Sequence, residues 1–152
     1  MIRIYRGIPG SGKSWQAANW PTKNRVIVCS ADNFFIDFRG SYIYDPKRIG
    51  EAHAQCFRHF LETLNALIPP DNIAVDNTNI MAWEIAPYVA AANAYGIECE
   101  IVKVLCPFEI AAARNVHKVP AEIVWNMHQR LHTEILPPFW KHVVIYHDKE
   151  KS

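Results

Sequence analysis

The chain of 152 residues lacks a surplus of charge of either sign: 16 Lys and Arg stand against 15 Asp and Glu, a formal net charge of +1. Binding along a phosphate backbone leaves a basic footprint, so this balance weighs against a nucleic-acid partner. No apolar run approaches the ~20 residues of a membrane helix. The sequence enters a strand-like run at Ile2 with no signal-peptide pattern before it. The expectation is an intracellular, cytoplasmic protein, cellular or phage-encoded, with no membrane partner and no obligate protein partner. Cys29, Cys56, Cys99 and Cys106 show no C-x-x-C spacing and no zinc-type histidine pattern. They read as reduced, mostly buried thiols. His128 and His132 lie four apart on an expected helix, but no third metal ligand accompanies them, and a solvent-facing pair is the expectation. Repeats, low-complexity tracts and linkers are absent, so residues 1–152 are expected to form one domain with a core of ordinary size.

Glycine is also scarce, which makes its clustering informative: of 6 in the chain, Gly7, Gly10 and Gly12 fall in the segment RGIPGSGKSW. Glycine loses more conformational entropy on ordering than any other residue, so something must compensate for the cluster. Gly7, four residues, Gly12, Lys13 and Ser14 fit G-x-x-x-x-G-K-[ST], the Walker A phosphate loop. Ile2–Arg6 alternates in the manner of a strand, and a helix can start at Lys13 or Ser14. Strand, glycine loop and helix N-terminus in that order aim consecutive N–H groups and a positive dipole end at one point, which suits a polyphosphate. Gly7, Pro9, Gly10, Ser11, Gly12, Lys13 and Ser14 are therefore the expected nucleotide-binding set. Lys13 would reach the β- and γ-phosphates of ATP or another NTP, and Ser14 would ligate Mg²⁺.

Further strand-like runs span residues 24–30, 72–76, 98–106 and 142–147. Helical patterns lie between them: 45–67, with Asp45 as cap and Pro46 as first helical residue; 82–96, closed by Gly96; 107–115; and about 120–133. The alternation predicts an α/β fold with a mostly parallel sheet of about five strands and helices on both faces. In such sheets ligands bind beyond the carboxyl ends of the strands. Asp32 lies just past the end of the second strand, where it could accept the proton of an attacking hydroxyl, hold Mg²⁺ through water, or simply cap a turn. The third ends in Asp76–Asn79; an apolar run closing on Asp is the Walker B pattern, which makes Asp76 a candidate for Mg²⁺. Asn77, Thr78 and Asn79 crowd the tip and would equally serve to cap the next helix. Arg114, His117 and Lys118 sit between two helices, where a lid could close cations over a phosphoryl group or where they could complement a helix dipole. The five Trp residues are expected to be scaffold more often than base-stacking platforms.

In order and spacing, the segments GIPGSGKS, SADNFF, YIYDPKRIGEAHAQC, VDNTNI, PYVAAANAYG and RNVHKVP resemble the P-loop kinases of the phage-type 5′-polynucleotide kinase group, over nearly the whole chain. The resemblance implies a P-loop NTPase fold with a helical lid and an ATP- and Mg²⁺-dependent phosphoryl transfer to the 5′-OH of a DNA or RNA end. It makes Asp32 the general base, Lys13 and Arg114 the phosphate-facing cations, and Thr78 and Asn79 part of the active-site lining. On the acceptor side Phe34, Phe35 and Arg39 could shape a cleft, although phenylalanines more often belong to the core. Two positions depart from the family pattern: Asn33 stands where a second acidic residue is common, and Phe35 where an arginine follows the base. Other readings of the same residues are a kinase of a nucleoside, modified base or small metabolite, and an ATP-binding switch domain without catalysis.

Overall fold

A computed structural model describes residues 1–66 and 68–147. Five strands, β1 (Ile2–Arg6), β2 (Val26–Cys29), β3 (Asn72–Asp76), β4 (Cys99–Leu105) and β5 (Lys141–Tyr146), form one sheet in the order β2-β3-β1-β4-β5. Every neighbouring pair is parallel. The helices are α1 (Lys13–Ala18), α2 (Ile49–Leu64), α3 (Ala82–Ala94), α4 (Phe108–Ala113) and α5 (Ala121–Thr133). The expected α/β architecture is thus the one observed.

Side chains two apart along a strand share a face, and the register places Ile4 beside Val75 on one side and Ile101 on the other. Ile2, Ile4, Ile73, Val75 and Ile101 meet Cys56 and Phe60 of α2 and Ile85 and Tyr88 of α3 in the main core. The opposite face, with Tyr5, Ala74, Val102 and Val104, packs on Ala17 of α1 and on Trp20. A third cluster lies past the strand ends, where Ile8 and Ile80 meet Ala111 of α4 and Val124 and Leu131 of α5. Across β1, β4 and β5 a charge ladder follows the register: Arg3 Nε is 2.6 Å from Glu100 Oε1, and Lys141 Nζ is 3.5 Å from Glu100 Oε2. The Arg3 guanidinium also lies 4.4 Å from the Trp20 ring centroid.

The bounds of β1 and β3 coincide with those read from the sequence, β1 from its alternation and β3 from an apolar run closing on Asp76. β2 is shorter than expected at both ends. Its last expected residue, Ser30, instead caps a 3-10 turn over Ala31–Phe35, its hydroxyl accepting from the Asp32 amide at 3.3 Å. Asp45 caps as expected, accepting from Lys47 N at 3.0 Å, but the first turn, Pro46–Arg48, is 3-10 and the α-helix begins at Ile49. The expected helix end at Leu67 and the last five residues of the expected domain lie outside the described residues. Gly96, at φ 66°, ends α3 with a Schellman pair of bonds, Gly96 N to Asn93 O and Ile97 N to Ala92 O. The N-terminus of α3 is closed by two carboxylates: Glu84 accepts from Met81 N at 2.8 Å, and Glu134, which follows α5, accepts from Ala82 N at 2.9 Å.

The four cysteines are free, three of them buried, and burial pushes the Cys29 thiol up to about 12. No helix among the described residues is long and apolar enough to cross a membrane.

The tips of β1 and β3 are stitched together by buried polar groups. Arg6 donates from Nε to Asn79 O at 3.1 Å and from Nη2 to Ile80 O at 2.5 Å. Its burial lowers the guanidinium pKa, opposed by the charges of Glu134 and Glu84. Asn79 is 2% exposed, sits at φ 45°, and donates from Nδ2 to Tyr5 O at 2.8 Å. Asparagine tolerates that backbone region better than most residues, and its loss would leave the Tyr5 carbonyl without its donor. Asn79→Ala should therefore lower unfolding stability by about 2 kcal/mol. An unchanged urea midpoint would show that the stitch carries no weight.

Candidate active site

Beyond β1 the chain turns through residues 7–12 into α1. Gly7 N donates to Thr78 O at 3.0 Å, which ties the loop to the tip of β3, and Ser11 N donates to Ile8 O at 3.1 Å. Gly10 and Gly12 have φ of 79° and 91°, the left-handed region that favours glycine. Packing imposes the same choice. A Cβ on Gly10 would stand 2.0 Å from Ala111 O of α4, and one on Gly12 would stand 2.6 Å from the His147 ring. On Gly7 it would meet Ser11 Oγ and Val104 O, each at 2.8 Å. The Ser11 hydroxyl is the one buried side-chain polar atom with no hydrogen-bond partner among the described residues. A buried donor inside a turn of free amides fits a phosphate oxygen. The helix that follows is only six residues long, so the dipole contribution expected from it is small and the loop amides carry the anion affinity.

Lys13 is 8% exposed and donates to Ile8 O at 3.1 Å. Burial pulls its pKa below the ordinary lysine value, and the charges of Asp76 and then Asp32 oppose that fall. The two carboxylates arrive from the tips of the adjacent strands β3 and β2. Asn77 couples those tips by accepting from Ala31 N at 2.8 Å through Oδ1. Asp76 is buried, whereas Ser14 is exposed at the start of α1. A buried carboxylate and an accessible hydroxyl beside an anion loop are the donor types Mg²⁺ takes, since it binds through one or two carboxylates plus phosphates and water.

Asp32 is half-exposed and makes two side-chain contacts. Tyr42 Oη donates to Oδ1 at 3.1 Å, and His117 Nε2 stands 3.5 Å from Oδ2. The Tyr42 and His117 rings are 4.3 Å apart. Tyr42 reaches this place through a tight hairpin in which Ile36 bridges Tyr42 antiparallel and Asp37 Oδ1 accepts from Arg39 N and Ser41 N. Burial and the Asp32 charge raise the Tyr42 phenol, which keeps it a donor across the working pH range. His117 comes from the turn after α4. Asn115 braces that turn, donating to Val119 O at 2.6 Å and accepting from Val119 N at 3.2 Å.

The structure brings Lys13, Asp76, Asp32 and the loop to one end of the sheet. Arg114 caps α4 at the start of the turn that leads to α5 and is half-buried. Thr78 is half-buried at the β3 tip. One acceptor-side expectation changes. Asn79 is turned into the protein and bonds β1, so its side chain does not line the cleft. Phe35 is 5% exposed in the main core because its ring backs those of Tyr42 and Tyr44, at 6.0 and 5.1 Å. Arg39 is exposed at the hairpin tip, its guanidinium 5.2 Å from the Phe38 ring. Phe34 lies under the Arg48 guanidinium at 4.6 Å.

Sequence reasoning missed Tyr42, for which no spacing gives a signal, and the contact of His117 with Asp32. It also missed His147, which closes on Gly12 and places Nδ1 3.2 Å from Gln16 Nε2. Of the two histidines expected to face solvent, His132 is exposed, while His128 is half-buried against Trp125, ring centroids 5.4 Å apart. No group of three metal-ligating side chains occurs among the described residues.

The profile of the family described as "AAA domain" matches residues 2–135. NEDD4-binding protein 2 of Homo sapiens is 37% identical over 134 residues, covering 84% of this chain but 7% of that protein. The chain therefore spans a small fraction of this relative. Among solved structures, Chaetomium thermophilum Kti12 in complex with ADP-AlF3 is similar with a TM-score of 0.62 at 16% identity, covering 100% of this chain and 91% of that one. The Mycobacterium tuberculosis APS kinase CysC, in complex with AMPPNP and APS, gives 0.58 at 15% identity, with coverages of 98% and 89%. These likenesses bear on the fold.

The buried ammonium generates a stability prediction. Where pH lies between the lowered folded pKa of Lys13 and the ordinary 10.5, the unfolded chain binds a proton that the folded chain sheds. The lysine's contribution to stability therefore rises as pH rises toward 10.5. Lys13→Met should be more stable than wild type near pH 7 by about 1 kcal/mol, and the gain should shrink as the pH approaches 10. Urea unfolding at several pH values measures both; a variant less stable at neutral pH would contradict the assignment.

Proposed function

The chain belongs to this AAA-domain family, and from that premise we propose that it is an ATP-dependent kinase whose acceptor is the 5′-hydroxyl of a nucleic-acid end. The coarser statement, a P-loop kinase-like domain on a five-stranded parallel sheet, follows from the family and the fold. The observation that carries the finer one is the convergence of a buried lysine and two carboxylates from adjacent strand tips on one anion loop.

In this reading the loop amides, the Ser11 hydroxyl and Lys13 hold the phosphates of ATP, and Arg114 faces them from the lid. Ser14 and Asp76 hold Mg²⁺, which when bound offsets the charge that builds on the phosphate oxygens. Tyr42 fixes one oxygen of Asp32. The other oxygen takes the proton of the acceptor hydroxyl as its oxygen bonds to the γ-phosphorus and the bond to the ADP oxygen breaks. The wall beside Asp32 supports a nucleotide acceptor: Tyr42 and Tyr44 have near-parallel rings, 5° apart, and Tyr44 is half-exposed. Aromatic faces of this kind stack on any base. Arg39, Lys47, Arg48 and Lys118 are exposed cations that could meet phosphates.

A kinase of a nucleoside or other small metabolite is the second reading. It is favoured by the net charge of +1 and by the pairing of Arg48 with Glu51 at 2.9 Å, which uses one of the few acceptor-side cations. Incubation with labelled ATP and Mg²⁺ against 5′-OH oligonucleotides, nucleosides and no acceptor separates the readings. Label on the oligonucleotide is expected, and transfer to nucleosides alone would overturn the choice. Asp32→Asn should leave ATP-induced thermal stabilisation intact and lower turnover by about 10²- to 10⁴-fold. Loss of ATP affinity at full maximal rate would make Asp32 a metal or scaffold residue. With few cations available, oligonucleotide binding should neutralise roughly two or three phosphates, giving a log–log salt slope of about −1.4 to −2.1 on single strands. A slope near zero would favour the small acceptor.

A further inference from the structure

The contact between His117 and Asp32 lies where the reaction would need open space. A carboxylate has two oxygens, and on Asp32 they are unequal. Oδ1 receives the Tyr42 hydroxyl at 3.1 Å, whereas Oδ2 faces the imidazole of His117, Nε2 at 3.5 Å. Tyr42 is held by its hairpin, by ring contact with Phe35 and by a phenol that burial and Asp32 keep protonated. Its oxygen is therefore committed, and Oδ2 is the one left to take a proton. His117 belongs to a different element, the turn after α4, and its ring rests on the Tyr42 ring at 4.3 Å. Both partners of the contact are open to solvent, with side-chain exposures of 37% for His117 and 48% for Asp32. Contacts between groups this exposed are weak and readily exchanged.

We propose that His117 sets the choice between an acceptor hydroxyl and water by covering Asp32 Oδ2 until the acceptor displaces it. The inference rests on the reading of Asp32 as the base. A half-exposed carboxylate beside a bound γ-phosphoryl group is as able to take a proton from water as from an alcohol. With water, the proton passes to Oδ2, the water oxygen bonds to the γ-phosphorus, the bond to ADP breaks, and phosphate leaves; the phosphoryl group is lost. With His117 over Oδ2, a single water gains too little to move the imidazole, since it brings no other contact. An acceptor with a body that stacks on Tyr42 and Tyr44 does gain enough, because it takes over the ring contact that His117 gives up. His117 thus acts through Asp32 and is a gating residue rather than a catalytic one. It shares its turn with Arg114, so displacement of the imidazole and the position of the phosphate-facing arginine are linked.

The test is ATP hydrolysis without acceptor, measured beside transfer to a 5′-OH oligonucleotide and to a nucleoside, in wild type and in His117→Ala, His117→Gln, Asp32→Asn and the double variant Asp32→Asn/His117→Ala. His117→Ala should raise acceptor-free hydrolysis by roughly fivefold or more at unchanged KM for ATP, a small part of what a positioned base contributes. His117→Gln, whose amide can still donate to Oδ2, should return hydrolysis toward the wild-type rate. The gain should vanish in the double variant. Hydrolysis that is unchanged or lower in His117→Ala, with ATP-induced thermal stabilisation retained, overturns the gate. So does equal hydrolysis in His117→Ala and His117→Gln, which would report loss of the ring rather than of the contact with Oδ2. Failure of the underlying reading looks different: Asp32→Asn alone would then keep transferring phosphate to every acceptor.

Discussion

Lys13 carries its charge into a place that water scarcely reaches, and the surrounding structure is arranged about that ammonium. Burial alone disfavours the charged form, and partial compensation comes from three directions: the Ile8 carbonyl, Asp76 on β3 and Asp32 beyond β2. The two carboxylates come from β3, which borders β1, and from beyond β2, one strand further out, so the lysine is held across three strands of the sheet. They also explain why the loop cannot relax away from the lysine. Gly7, Gly10 and Gly12 are pressed against Val104, Ala111 and His147, so the loop is held from β4, α4 and the segment after β5 at once. What remains uncompensated, the unpartnered Ser11 hydroxyl and the desolvated ammonium, is the part an anionic ligand completes.

Much of this was legible in the sequence, and the reason is locality. β1 is read from its alternation and β3 from an apolar run, each with the observed ends. The loop is read from six consecutive residues and a lysine, and Asp76 from the end of an apolar run. Legibility fails where a side chain's task is set by a distant partner. Nothing in the stretch around Tyr42 says that the chain will reverse at Gly40 and bring the phenol back to Asp32, ten residues earlier. Asn79 looks like a cleft residue from its place beside Thr78, but its left-handed backbone turns the amide toward Tyr5. Ser30 looks like the last residue of a strand and is a cap, because the hydroxyl prefers the amide two residues on.

The near balance of charge acquires a sharper meaning once the cations are placed. Arg3 and Lys141 share Glu100, Lys141 also meets Glu98 at 2.5 Å, Arg48 pairs with Glu51, and Arg6 and Lys13 are buried. These positive groups are consumed by the sheet, the strand tips, the start of α2 and the phosphate loop. The surface around Asp32 is left with aromatic rings and a thin scatter of exposed cations, a composition suited to holding the end of a ligand rather than its length.

The bond from Ala82 N to Glu134 pins the last turn of α5 against the first turn of α3, and Leu131 is buried one turn before it. The opposite end of α5 follows the turn that carries Arg114 and His117. Val124 in the first turn of α5 is buried with Ala111 of α4, so a tilt about the pinned end would carry α4 and the intervening turn with it. With 13 residues, α5 is about 20 Å long, so a tilt of about 10° sweeps its N-terminal end through roughly 3 Å. That sweep is comparable to the 3.5 Å between His117 and Asp32. A side chain 52 residues away in sequence from the amide it holds thereby fixes where the last turn of α5 sits.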